Sequence, residues 1–117
     1  MKLQNLFFLT IILTIGSISA YTATIHNRTD GQIVAHVEYV ACGPDSVIIE
    51  SGQSREVKMA ACCAKYVTAQ ATSGKANGAK NSIKPPIYGL PGMTCASIQV
   101  EVSNSLDSGI ILQASIQ

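Results

Sequence analysis

Residues 32–41 read Gln-Ile-Val-Ala-His-Val-Glu-Tyr-Val-Ala. Ile33, Ala35, Val37 and Tyr39 fall on one parity and Val34, His36, Glu38 and Val40 on the other. A period of two, carried by β-branched residues, fits a pleated strand with one packed face, and it does not fit a helix. The same pattern recurs on both sides of this stretch. Upstream lies Thr22 to Asn27. Downstream come Ser46 to Glu50, Ser54 to Ala60, Lys65 to Ala71, Ala96 to Asn104 and Ile110 to Ile116. In Ser54 to Ala60, Val57 and Met59 alternate with Glu56 and Lys58; in Ala96 to Asn104, Ile98, Val100 and Val102 alternate with Gln99 and Glu101. Such alternation marks a sheet with one dry and one wet face. The reading is all-β: an antiparallel two-sheet sandwich of about seven short strands, with a small open β-barrel as the alternative.

Between the first two strands, Arg28-Thr29-Asp30-Gly31 carries an Asp-Gly pair, the signature of a tight hairpin. Cys42-Gly43-Pro44-Asp45 and Ser51-Gly52-Gln53 read as further turns. From residue 72 to 94 the regularity stops. Gly74, Gly78, Gly89, Gly92, Pro85, Pro86 and Pro91 are too many breakers for a central strand, so 72–94 is expected to be a long loop, with a short edge piece at Ile87 and Tyr88.

The beginning of the chain belongs to a different class. Met1 and Lys2 precede an apolar run from Leu6 to Ile15, and Gly16-Ser17-Ile18-Ser19-Ala20 follows it. An apolar core of about ten residues before small residues matches a secretory signal, whereas a spanning helix needs about twenty. Residues 1–20 are therefore expected to be cleaved after Ala20. The remaining 21–117 would form a single β-sandwich domain, secreted to the periplasm or the extracellular medium. With Lys2 removed, seven of the eight basic residues remain against seven acids, a net charge near zero. The charges are scattered singly, which excludes the basic stripe of a nucleic-acid binder and the basic amphipathic segment of a membrane-surface protein.

Cys42, Cys62, Cys63 and Cys95 all follow the signal, and an even count in an exported domain reads as two disulfides. Neighbours do not bond easily to each other, which leaves Cys42–Cys62 with Cys63–Cys95, or Cys42–Cys63 with Cys62–Cys95. Strand alternation favours the first pairing, since it sends Cys62 and Cys42 to the wet side and Cys63 inward. Each loop closed this way contributes roughly 3 kcal/mol.

No chemistry-bearing constellation is legible. Metal sites show paired ligands at Cys-x-x-Cys or His-x-x-x-His spacing, and neither occurs. His26 and His36 would meet across the first hairpin only in an odd register, and the Asp-Gly turn favours an even one. No serine sits in a Gly-x-Ser-x-Gly elbow and no glycine loop is spaced to cradle phosphate, so neither a catalytic residue nor a cofactor is expected. Asn27-Arg28-Thr29 is a glycosylation sequon, placed at the hairpin where a sugar would project into solvent. The long loop is locally basic through Lys75, Lys80 and Lys84, and Pro85-Pro86-Ile87-Tyr88 offers a stiff apolar segment. Together these point to a non-enzymatic binding module contacting an extracellular protein or glycan through the 72–94 loop, at Lys75, Lys80, Lys84, Ile87 and Tyr88, and through the adjacent turns. A self-associating structural or surface-coat protein is the rival, and a small exported hydrolase or metal-binding protein ranks last.

Overall fold

The computed structural model describes residues 21–39, 42–60, 64–85 and 96–117. Among them are eight strands: β1 (Tyr21–Asn27), β2 (Ile33–Tyr39), β3 (Asp45–Ile49), β4 (Ser54–Ala60), β5 (Ala64–Ala71), β6 (Lys80–Ile83), β7 (Ile98–Asn104) and β8 (Ile110–Ile116). They form two four-stranded sheets, ordered β4-β1-β7-β8 and β3-β2-β5-β6. The fold is all-β and sandwich-like, two separate sheets rather than a closed barrel. β3 lies beside β4 and β6 beside β8, so each edge of one sheet faces an edge of the other.

Alternation in the sequence becomes alternation in burial. Ile33, Ala35, Val37 and Tyr39 of β2 are buried while Glu38 is exposed, and Ile98, Val100 and Val102 of β7 are buried between half-buried Gln99 and Glu101. Ile25, Ile49 and Val67 complete the largest side chains of the core, which is filled out by Ala23, Ala35, Ala64, Ala69 and Ala71. Each buried Ile or Val contributes about 1.5–3 kcal/mol over its exposed state. This one aliphatic layer holds the two sheets together.

Three expectations are corrected. First, β1 and β2 do not form a hairpin: they lie in opposite sheets, and the Arg28-to-Gln32 segment is an arch between them. The reason lies in Asn27, which ends β1 on its inward parity and is 1% exposed. Its Nδ2 donates to Gly31 O at 2.8 Å and to Ile49 O at 2.9 Å, while its Oδ1 accepts from Thr29 N at 2.9 Å. A polar residue on the core side turns the chain across the core instead of back along its own sheet. Gly31 serves close approach rather than a left-handed turn: a Cβ there would lie 2.1 Å from Ser73 O and 2.7 Å from Gly74 N. Second, the fold is not purely antiparallel, because β1 runs parallel to β7, with Ile25 opposite Val100. Freed from β2, β1 is inserted between β4 and β7.

Third, the 72–94 stretch is not one structureless loop. Residues 80–83 form β6, paired antiparallel to β5 with Thr68 opposite Ser82 and Ala69 opposite Asn81. Lys80, Asn81 and Ser82 are polar and exposed, so no hydrophobic alternation announced a strand; backbone pairing to an already formed β5 suffices. The preceding residues are a bonded turn, in which Gly78 N donates to Ala71 O, Ala79 N to Ala76 O, and Ala76 is buried. The edge piece expected at Ile87 and Tyr88 lies outside the described residues.

Candidate functional site

The arch, the turn after β5 and the β7–β8 turn converge at one end of the molecule, and Asp30 joins them. Its Oδ1 accepts from Lys75 N and from Asn104 Nδ2, each at 3.1 Å, and its Oδ2 also lies 3.1 Å from Lys75 N. The Lys75 backbone N–H, followed by the Asn104 amide, holds the Asp30 carboxyl below the usual aspartate range. Gly74 makes the approach possible, with φ +80° and a Cα hydrogen where a Cβ would sit 2.6 Å from Asp30 Oδ1.

Across from Lys75, the β7–β8 turn closes on itself. Ser105 N donates to Gly109 O at 2.9 Å, and Ser105 Oγ accepts from Gly109 N at 3.0 Å and from Asp107 N at 3.3 Å. Ser108 is the non-glycine residue with positive φ among the described residues, at 65°. Leu106, at the tip of this bonded turn, is 104% exposed. A pocket of about 350 Å³ lies between the two turns, lined by Lys75, Ala76, Asn104, Leu106 and Ser108. An apolar tip, a cation and several hydroxyl and amide groups thus share one concave surface. In the sequence Asn104-Ser105-Leu106-Asp107-Ser108-Gly109 stands between two alternating stretches as their connection, and a leucine flanked by turn formers is the local signal of this site.

The expected lysines lie on different elements. Lys75 lines this pocket, whereas Lys80 begins β6 and Lys84 follows its end, roughly 13 Å apart along an extended chain. Ile87 and Tyr88 lie outside the described residues. Among the cysteines, Cys42 is described and is not a free thiol. Cys62, Cys63 and Cys95 lie outside the described residues. Cys42 borders a cavity of about 210 Å³ shared with Glu38, Tyr39 and Pro44. There Tyr39 OH donates to Asp45 Oδ2 at 2.7 Å, and burial together with that bond pushes the phenol well above the ordinary tyrosine range.

His26 and His36 do not meet, since they occupy different sheets. His26 Nδ1 lies 2.6 Å from Ser54 Oγ and its Nε2 3.1 Å from Gln99 Oε1. His36 Nδ1 lies 2.6 Å from Ser46 Oγ. Each is a cross-strand pair on a wet sheet face. Among the described residues, no three His, Cys, Asp or Glu side chains are grouped to hold a metal ion. The expected surface position of Asn27 is also corrected, because its side chain is buried in the arch.

A further open space of about 540 Å³ runs along β8 and touches Ile83, Leu112, Gln113, Ala114 and Ser115. Among the described residues, no helix is long and apolar enough to cross a membrane. Compared with protein-family models, curated proteins and solved structures, the chain matches none of them.

Proposed function

We propose that the protein is an exported, non-enzymatic binding module that grips an extracellular protein or glycan with the end of the sandwich formed by Lys75 and the Ser105–Gly109 turn. The observation that carries this reading is Leu106, fully exposed at the tip of a turn closed by three hydrogen bonds and facing a pocket that Lys75 shares. A turn backbone held in place before contact loses little conformational freedom on binding, and apolar tips with adjacent polar groups fit that use. Export is supported by the Leu6-to-Ile15 run and the small residues after it. Two disulfides, with Cys42 in one of them, are part of the proposal and suit an oxidising compartment.

The test is recovery of ligand from the fluid surrounding the source cells, together with an oligosaccharide panel, by the intact protein and by a Leu106→Ser/Lys75→Ala variant. Both substitutions are at the surface and leave the circular dichroism spectrum unchanged. The reading expects a ligand retained by the intact protein and lost, by about tenfold or more, by the variant. Equal retention by both proteins overturns it. Lys80→Ala and Lys84→Ala serve as comparisons and leave retention unaltered.

A further inference from the structure

We infer that the free edge of β8 is a self-association site, at which a second copy of this chain adds its own β8 antiparallel and joins the two β4-β1-β7-β8 sheets into one. The inference is independent of the loop-end reading, since it uses a different edge of the molecule.

Hydrogen bonds at both ends of β8 fix its backbone polarity. Gly109 O accepts from Ser105 N and Gln117 N donates to Ser97 O, so odd-numbered residues along β8 turn their amide groups toward β7. Ile110 O, by contrast, accepts from Asn81 Nδ2 of β6 at 3.0 Å and points away from β7. In a strand the N–H and C=O of one residue point the same way and alternate along the chain. Leu112, Ala114 and Ile116 therefore present their amides to the open edge, where among the described residues no strand pairs with them. The 540 Å³ space touches inward Leu112 and Ala114 as well as outward Gln113 and Ser115, so among the described residues it passes around the edge of β8 and leaves that edge reachable.

The other edges carry the features that discourage pairing. β4 holds Arg55, Glu56 and Lys58; β3 is five residues long and opens with Asp45; β6 is four residues long and opens with Lys80. β8 is seven residues long and contains neither a charge nor a proline. Short, charged edges are how sheets avoid edge-to-edge pairing, and β8 lacks both protections.

The occupant follows from the sequence of β8 itself. Antiparallel pairing about a two-fold axis at Ala114 sets Leu112 opposite Ile116 on the core side and Gln113 opposite Ser115 on the wet side. Every outward amide meets an outward amide, apolar meets apolar, polar meets polar, and Ile110 O keeps its bond to Asn81. Such an isologous contact closes at two copies. A net charge of +1 on the whole chain gives little long-range repulsion between copies.

The experiment is light scattering and sedimentation of the purified protein from micromolar concentrations up to about 1 mM, with three variants. The intact protein is expected to dimerise with concentration. Q113K/S115K sets lysines opposite each other at two places and weakens the dimer about tenfold or more, and Q113E/S115E does the same. Mixed together, these two variants form a heterodimer. Amide exchange at Leu112, Ala114 and Ile116 slows as the dimer forms. I48K, on the other sheet, leaves the equilibrium unchanged. An intact protein that is monomeric across the whole range overturns the inference. So does dimerisation that Q113K/S115K leaves intact, or variants that stay apart when mixed. Leu106→Ser/Lys75→Ala dimerises normally, which separates this result from the fate of the loop-end site.

Discussion

Asn27 has an amide with two donors and an acceptor oxygen, and its buried position uses all of them. Nδ2 bridges Gly31 O to Ile49 O, and Oδ1 takes Thr29 N. Thr29 Oγ sits 2.6 Å from that same oxygen and 2.9 Å from Gly31 O, with one proton to share between them. Removing this side chain takes a donor from the buried Ile49 carbonyl, leaves Gly31 O with Thr29 Oγ as its side-chain donor, and strips Thr29 N of its acceptor. Asn27→Ala is expected to cost about 2–4 kcal/mol, read as a lowered midpoint in urea unfolding. A glycan on Nδ2 would replace one donor and require room where the side chain is 1% exposed. The folded protein from a glycosylating host is therefore expected to show an unmodified Asn27 on peptide mass mapping, despite the sequon. Gly31 is constrained for a different reason. Gly31→Ala drives a methyl into Ser73 O and is expected to cost about 1–3 kcal/mol, whereas the same change at Gly43, which has open space around its Cα, is expected to be nearly neutral in the same unfolding experiment. Neither role is legible in the sequence, where Asn27 reads as an acceptor for sugar and Asp30-Gly31 as a hairpin, because both depend on segments that arrive from Ile49 and Ser73.

At the level of elements, alternation made β2, β7 and β8 readable almost to the residue, since β2 and β7 bury one parity throughout and β8 buries Ile110 and Leu112; β4 was readable from the same alternation in its sequence. β6 escaped because an edge strand of polar residues has no buried face to advertise it. A consequence is that residues 74–84 cannot be treated as removable filler: they include β6, buried Ala76 and the Gly74–Lys75 contact with Asp30. That contact is sensitive to acid. The folded Asp30 carboxyl titrates below its unfolded counterpart, near 3.9, so the stabilisation is present above that pH and disappears as pH falls through the lower, folded value. The measurement is amide exchange at Lys75 between pH 6 and pH 2, scaled for intrinsic chemistry. Protection is expected to hold down to about pH 4 and to fall below it. In Asp30→Asn the pH-dependent loss disappears.

For the whole molecule, one aliphatic layer between two sheets supplies the cohesion, and the chain crosses that layer repeatedly. β1 to β2 and β3 to β4 both pass from one sheet to the other. Long-range contacts of this kind close large loops at an entropic cost, so crosslinks that restrict the unfolded chain have a large effect. If the four cysteines form two bonds, the intact mass falls by about 4 Da relative to the reduced chain, and reduction is expected to remove about 3 kcal/mol per bond. Thermal unfolding with and without reductant measures this. An unchanged midpoint would show that the aliphatic layer alone sustains the fold.

The amino-acid sequence by itself determined the class of structure: all-β, alternating, with turn residues between strands. These are local properties, because the parity of a side chain and the rotational freedom of a glycine are set within a few residues. Only the tertiary structure decided which strands became neighbours. It placed β1 parallel to β7 instead of against β2, gathered Lys75 and Leu106 around one pocket while setting Lys80 and Lys84 on and beyond β6, and left β8 paired on one side only among the described residues. Those outcomes depend on contacts between residues dozens of positions apart, and their energies exist only once the two sheets have met.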